Sequence, residues 1–338
     1  GLFDEALKVL ASLKEDYPNP EPSAREKWIQ AKILLYDGLF DEASEVLASL
    51  KEAYPTLPET AVLKLAQRKY LEALDAFLRS GCFTDATYLV ERVLRTDETE
   101  GYLKQHQDDF LLNQPTKSGI AGLYDAERTP LLVIRYVLCR RYMREKKYEK
   151  ALQHCPPYWK GIAEQYVNHI RQSEKKNIPK SQRAVHLMEA AQLARQEGMW
   201  IMGTHLSPDW SFVSGVFECG PTSPYSRIEN IRSDELKTPE DIFLATEDER
   251  NRFMSAAPKP DVRYHYRYIA SDLMWQAAQL LPDNDIRTAR ALYWGGVWLK
   301  NRDPQSADKF YKALVKRCRK LPIGQEADRI RWFPKEAP

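Results

Sequence analysis

The chain has 338 residues, of which 43% are hydrophobic and 29% are charged. That length can bury a large core, and the hydrophobic share is typical of an ordered globular protein, which excludes an intrinsically disordered chain. Lys and Arg together number 50 and Asp and Glu 48, so the net charge of +2 favours neither nucleic acid nor an anionic membrane as a partner. No apolar run approaches the ~20 residues that a membrane-spanning helix needs.

A near-duplicate segment opens the chain. The segment GLFDEALKVLASLKEDYP over Gly1–Pro18 returns as GLFDEASEVLASLKEAYP over Gly38–Pro55. Around the second copy, small or apolar residues recur at steps of three and four on either side of the Asp37-Gly38 turn, at Ala31, Leu34, Phe40, Ala43, Leu47 and Leu50. This spacing predicts two amphipathic helices that face each other across a turn, with the prolines ending the second helix.

The same offsets recur more loosely along the chain. They are found at Tyr70, Leu74, Phe77, Gly81, Phe83, Ala86 and Val90; at Cys139, Tyr142, Tyr148, Ala151 and Cys155; and at Gly295, Trp298, Pro304, Ala307, Tyr311 and Leu314. A period in the middle thirties, with a small residue on each helix and an aromatic after the turn, resembles the tetratricopeptide repeat (TPR). The resemblance covers about half of the chain. It implies an all-α fold, an α-solenoid of TPR-like antiparallel helix pairs.

Composition divides the chain further. We predict TPR-like repeats over 1–99, a connecting loop over 100–129, further helical repeats over 130–198, an irregular aromatic-rich insertion over 199–238, and a C-terminal helical repeat or cap region over 239–338. Gly198 is predicted to end the helix before the insertion, and Ser211–Glu218 is predicted to form a short hairpin within it. Because Gly1 aligns with the turn at Gly38, we expect the chain to belong to a longer or processed protein.

Motifs for catalysis and metal binding are not found. The sequence has no Cys-x-x-Cys and no His-Glu-x-x-His, and neither a nucleophile elbow nor a phosphate-binding loop is present. His186 and Glu189 share a helix face but lack the further carboxylates of a di-iron site, so we interpret them as a surface pair. His154 beside Cys155 falls short of the four ligands that structural zinc takes. We therefore predict no enzyme activity, no cofactor and no metal.

Two groups of residues are predicted to belong to the core. Cys139 and Cys155 occupy inward-facing repeat positions and are expected to be free, buried thiols, with a disulfide between them as the alternative. Helical spacing in an aromatic cluster predicts a packed terminal core rather than a sugar or cofactor site. The members of this cluster are Tyr264, Tyr266, Tyr268, Trp275, Trp294 and Trp298.

The resemblance to TPR arrays also implies a binding surface, because one side of the first helix of each pair lines their concave groove. The residues that it assigns to this groove are Arg25, Trp28, Lys32 and Tyr36, then Arg68, Asp75 and Arg79, then Tyr136, Arg140 and Arg144. Such a basic, aromatic groove suits an acidic or carboxylate-ending peptide, since Arg binds carboxylates bidentately and aromatic rings bury area at small entropic cost. The alternative is that these side chains form ordinary solvated helix faces.

A second basic surface follows one face of a C-terminal helix, at Lys309, Lys312, Lys316 and Lys320. We interpret it as a solvated face, and the alternative is that it contacts the phosphates of nucleic acid or lipid.

The function predicted from these observations is a non-catalytic scaffold that binds a protein or peptide partner through the groove. The alternatives are a helical accessory region of a larger cell-envelope enzyme and an anion- or nucleic-acid-binding helical protein. The segments RYHYRYIASDLMWQAAQLLPDN and WLKNRDPQSADKFYKALVKRC also resemble long, uncharacterised bacterial proteins associated with the cell envelope. The compartment stays open, with the bacterial periplasm or envelope favoured over the cytoplasm.

Overall fold

A computed structural model describes residues 23–52, 54, 57–115, 129–213, 215 and 245–337. These residues form helices joined by turns and contain no strand, which confirms the all-α class. The α-helices of the described ranges are α1 (Ala24–Tyr36), α2 (Phe40–Leu50), α3 (Pro58–Ala66), α4 (Tyr70–Arg79), α5 (Phe83–Tyr88), α6 (Thr96–Gln105), α7 (Pro130–Arg144), α8 (Tyr148–His154), α9 (Pro157–Glu174), α10 (Lys180–Ile201), α11 (Glu247–Ser255), α12 (Tyr266–Leu280), α13 (Ile286–Val297), α14 (Pro304–Arg317) and α15 (Pro322–Ile330). None of them combines the length and apolarity needed to cross a membrane.

The chain divides into two compact units, and each is discontinuous in sequence. The first unit takes its described residues from Gly1–Ile134 and Val216–Ala257, and the second from Arg135–Gly215 and Pro258–Pro338. In the first unit, α1 packs against α2 and α3 against α4. In the second unit, α10 packs against both α9 and α12, and α13 packs against α12 and α14.

One turn geometry recurs between helices. A residue with positive φ stands at Gly38 (74°), Arg68 (61°), Gly81 (77°) and Lys146 (58°). The next residue donates its backbone N–H to the carbonyl five residues back, as Leu39 does to Leu34 at 2.9 Å, which is the Schellman helix ending. An aromatic residue then begins the following helix, and three residues later a fully buried alanine stands at Ala43, Ala73, Ala86 and Ala151. The earliest copy of the repeat, at Gly1–Pro18, lies outside the described residues.

Substitutions at these turns should change stability in opposite directions. Gly81→Ala is expected to lower the free energy of unfolding by about 1 kcal/mol, because a Cβ at positive φ crowds the backbone. Nothing else lies within 4 Å of that Cβ, so the cost is conformational. Lys146→Gly, which relieves the same strain at an exposed position, should raise the free energy of unfolding by about 0.5 kcal/mol.

Urea denaturation followed by circular dichroism measures both effects. Lys147→Gly serves as the control, because Lys147 has an ordinary φ of −89° and glycine there should not stabilise the protein. A stabilised Gly81→Ala variant, or a destabilised Lys146→Gly variant, would contradict the strain argument.

The predicted core of the first unit is confirmed. Ala31, Leu34, Ala43 and Leu47 are buried in one cluster that joins α1, α2 and α3. The small residues let these helices approach, and the leucines fill the space between them.

Proline marks one helix boundary, and one glycine predicted to end a helix does not. Pro156 follows directly on the C-cap residue of α8, and Pro157 begins α9. The predicted helix end at Gly198 is wrong, because α10 continues to Ile201. A Cβ on Gly198 would lie 2.5 Å from the ring of Tyr266, so this glycine allows α10 and α12 to pack closely.

The irregular regions differ from prediction in their described parts. In the predicted loop over 100–129, α6 runs on to Gln105, and residues 116–128 lie outside the described ranges. Ser211–Val213 is a short 3₁₀-helix, so the predicted hairpin is wrong at its start. The rest of that hairpin, apart from residue 215, also lies outside the described residues.

The two predicted core groups have different outcomes. Cys139 and Cys155 are buried free thiols, as expected. The aromatic cluster is only partly a core, because Tyr266 is buried whereas Trp294 is 36% exposed. Close packing in this region comes instead from Gly296, where an added Cβ would meet the ring of Phe333.

Candidate functional site

One side of α7 is covered by a turn-rich stretch of the second unit, residues 202–213, which ends in the short 3₁₀-helix and which we call the covering segment. Arg144 of α7 donates from Nη1 to the backbone carbonyls of Met202 at 3.0 Å and Gly203 at 3.3 Å. Hydrogen bonds from a guanidinium to main-chain carbonyls do not depend on the side chains of the bound stretch. This face of α7 therefore contacts main-chain carbonyls of a turn-rich segment that directly follows α10, and that segment belongs to the chain itself.

Arg140 lies one turn earlier on α7 and is 1% exposed. It donates from Nη1 to the Ser211 hydroxyl, and its Nη2 lies 2.9 Å from Nδ1 of His205. Its guanidinium also stacks on the ring of Tyr136 at 4.2 Å. A buried charge is tolerated only when it is hydrogen-bonded in this way, so Arg140 holds the covering segment in place.

The covering segment is anchored at its centre by Asp209, which is fully buried. Its carboxylate accepts the backbone N–H of Thr204 at 2.8 Å and the backbone N–H of Tyr264, and lies 2.9 Å from Nδ1 of His265. Burial raises the pKa of Asp209, but His265 and the two backbone donors outweigh burial, so the pKa lies below its usual value. Asp209 is therefore an ionised, structural carboxylate.

The corresponding face of α1, in the first unit, has the same register. The residues of positive φ that follow these helices are Gly38 after α1 and Lys146 after α7. Ten, six and two residues before Gly38 stand Trp28, Lys32 and Tyr36. At the same distances before Lys146 stand Tyr136, Arg140 and Arg144. Both faces thus place an aromatic ring one turn before a cation. The third position differs, since Tyr36 stands on α1 where α7 has Arg144.

On α1, these side chains stay at least partly at the surface. Lys32 Nζ lies 4.5 Å above the Trp28 ring and 3.5 Å from a carboxylate oxygen of Glu59, the second residue of α3. Arg25, one turn before Trp28, is exposed, and Tyr36 is half-buried. The face carries accessible positive charge beside an aromatic ring.

The equivalent residues of α4 form a network within the first unit. Arg79 donates to Asp75 at 2.8 Å and to Asp109 at 2.7 Å, and the Tyr102 hydroxyl donates to Asp75 at 2.9 Å. The hydrogen bond from Arg79 lowers the pKa of Asp109. Arg68 is exposed at the turn before α4.

The predicted groove residues therefore occupy different environments. Those on α1 remain accessible, Arg68 is exposed in a turn, Asp75 and Arg79 are engaged by α6 and the turns that follow it, and those on α7 are covered by the end of α10 and the covering segment. The periodicity of the sequence predicts a common helix face for these residues. It could not show which of these sides the chain itself covers.

The predicted second basic surface, on α14 and the turn after it, consists of Lys309, Lys312, Lys316 and Lys320. Lys309 lies 3.6 Å from Asp272 and its ammonium lies over the Trp275 ring, while Lys312 lies 2.5 Å from Asp308. Neighbouring carboxylates thus offset half of the positive charge of this surface.

Two pairs of polar residues that the sequence pattern does not predict meet in the structure. Asp209 and His265 meet in the buried anchor of the covering segment, and His169 of α9 meets His186 of α10. Each pair joins residues from different elements, so no local spacing indicates it. The described residues contain no group of three or more His, Cys, Asp or Glu side chains arranged to hold a metal ion.

No protein-family model matches the chain, and comparison with curated proteins and with solved structures likewise gives no significant match. The functional interpretation therefore rests on the side-chain arrangement described above.

Proposed function

We propose that this chain is a non-catalytic, TPR-like scaffold that binds a segment of a protein partner on the basic, aromatic face of α1. The observation that carries the proposal is the contact of α7 with the covering segment, in which Arg140, stacked on the Tyr136 ring, donates to the Ser211 hydroxyl. Because α1 repeats this pair of an aromatic ring and a cation in Trp28 and Lys32, and its face remains accessible, a segment of another molecule can bind there. The resemblance to TPR arrays implies the same use of this helix face.

The chemistry of the α1 face favours an acidic or carboxylate-ending peptide. Arg25 is exposed and presents a guanidinium that can bind a carboxylate bidentately. Lys32 already faces the carboxylate of Glu59 at 3.5 Å, and its side chain is 37% exposed. The Glu59 side chain is only 13% exposed, so we expect Lys32 to keep this contact and to bind a carboxylate of the partner on its exposed side.

Burial of the described acid–base pair supports a non-catalytic role. Asp209 and His265 have the composition of a catalytic dyad, but both are fully buried. Their described contacts hold the covering segment in place, which is a structural role.

The test is affinity purification of the protein from its native cells, beside a variant that carries Arg25→Glu and Lys32→Glu. We expect a protein that co-purifies with wild type to be lost with this variant. Peptides spanning that protein should then include an acidic or C-terminal segment whose affinity in fluorescence polarisation falls at least about tenfold with the variant, or ~1.4 kcal/mol.

A matched control carries Lys51→Glu and Lys69→Glu, which make the same charge change at exposed positions of the first unit away from the α1 face. This control should bind as wild type does. If the Arg25 and Lys32 variant is folded and retains every partner of wild type, the proposal is wrong.

A further inference from the structure

A pair of histidines lies between neighbouring helices of the second unit, whereas the face proposed to bind a partner belongs to the first unit. Nδ1 of His169 on α9 lies 3.1 Å from Nδ1 of His186 on α10, and the ring centroids are 5.3 Å apart. Both side chains are partly exposed. At 3.1 Å the two Nδ1 atoms cannot both carry a proton, because the N–H groups would point at each other. At least one nitrogen therefore presents a lone pair to the other ring.

We propose that His169 and His186 together bind a divalent transition-metal ion of the zinc, nickel and copper class. Imidazole nitrogens bind such ions at about 2.0–2.1 Å. An ion at that distance from two nitrogens 3.1 Å apart makes a nitrogen–metal–nitrogen angle of roughly 100°. This angle lies between the values of about 90° and about 109° that tetragonal and tetrahedral sites require. The ion can thus replace the shared proton without moving either helix.

The other ligands determine the class of ion. Among the described residues, no further His, Cys, Asp or Glu joins this pair in a metal-binding group. Water can supply the remaining ligands. Glu189 lies one turn after His186 and is exposed, so rotation of its side chain can bring a carboxylate towards the site. Two imidazoles with water suit borderline-soft ions such as Zn²⁺, whereas Mg²⁺ takes oxygen ligands.

Equilibrium dialysis of the full chain against Zn²⁺, with the thiols kept reduced, tests the proposal. Wild type should bind one more equivalent of zinc than either His169→Gln or His186→Gln, because each variant removes one of the two ligands. His106→Gln is the matched control, since His106 belongs to the first unit and stacks on Tyr102. It should bind as much zinc as wild type, and Mg²⁺ should not compete.

If either variant of the pair binds as much zinc as wild type, the proposal is overturned. Circular dichroism shows whether the variants fold, and a second measurement on wild type decides the matter if they do not. Diethyl pyrocarbonate modifies accessible histidines, and peptide mass spectrometry locates the modified residues. Protection of His169 and His186 by Zn²⁺ would support the site, and unchanged labelling of both would overturn it.

Discussion

Asp209→Asn should destabilise the second unit by about 3 kcal/mol, because a buried carboxylate with several donors loses its charge. The carboxylate accepts backbone hydrogen bonds from Thr204 and Tyr264 and lies 2.9 Å from Nδ1 of His265. Asparagine keeps the shape but turns an amide N–H₂ towards one of these donors. Urea denaturation of wild type and of Asp209→Asn at pH 7 measures the difference in the free energy of unfolding.

The control for this prediction is Asp283→Asn in the same unit. Asp283 lies 2.6 Å from Arg317, but its side chain is 62% exposed, so the substitution should cost less than about 1 kcal/mol. Equal, small losses at the two positions would show that the anchor at Asp209 contributes no more than a surface ion pair.

The same carboxylate should make stability depend on pH in acid. The pKa of Asp209 in the folded protein lies below its usual value, so the unfolded chain takes up the proton first as the pH falls. The stabilisation is therefore complete above the ordinary Asp pKa of about 3.9 and is lost as the pH falls through the lower, folded value. Urea denaturation between pH 6 and pH 3 should show this loss in wild type and a smaller one in Asp209→Asn.

Arg140→Met should also destabilise the second unit, by about 3 kcal/mol, and should release the covering segment. Methionine replaces the apolar part of the side chain, but it leaves the Ser211 hydroxyl and the His205 ring without the donor they have in wild type. The contact with the Tyr136 ring is weakened as well. Limited proteolysis should therefore cut within residues 202–213 faster in the variant than in wild type.

Two further substitutions separate charge from geometry. Arg140→Lys should destabilise the second unit almost as much as Arg140→Met does. A single ammonium cannot contact Ser211 and His205 together as the guanidinium does. Arg171→Met removes an exposed arginine paired with Glu149 in the same unit and should leave both stability and proteolysis nearly unchanged. If residues 202–213 stay protected in Arg140→Met, the interpretation of Arg140 as their anchor is wrong.

These expectations restrict how the partner-binding face can be tested. Removing Arg140 would disturb the second unit, so lost binding in such a variant could not be attributed to a missing contact with a partner. Arg25 and Lys32 do not have this drawback, because Arg25 is exposed and the side chain of Lys32 is 37% exposed. Charge reversal at these two positions changes the surface and leaves the core of the first unit intact.

The sequence by itself determined the helices and the turns between them. Apolar residues at steps of three and four place Ala31, Leu34 and Ala43 in the core, and the alignment of Gly38 with Gly81 locates the Schellman turns. These features are local, since they depend on helix periodicity and on which residues tolerate a positive φ. That is why they could be predicted from one chain.

Only the tertiary structure decided which helix faces are covered. Arg140 and Lys32 hold the same place in the pattern, yet Arg140 is buried by Ser211, which is 71 residues away, while the side chain of Lys32 is 37% exposed. The meeting of His169 with His186 likewise depends on how α9 packs against α10. Periodicity specifies the side of a helix to which a residue points, but burial and pairing depend on the distant segment that packs there. The residues of the candidate surface on α1 could thus be predicted from the sequence, whereas their exposure could be determined only from the folded protein.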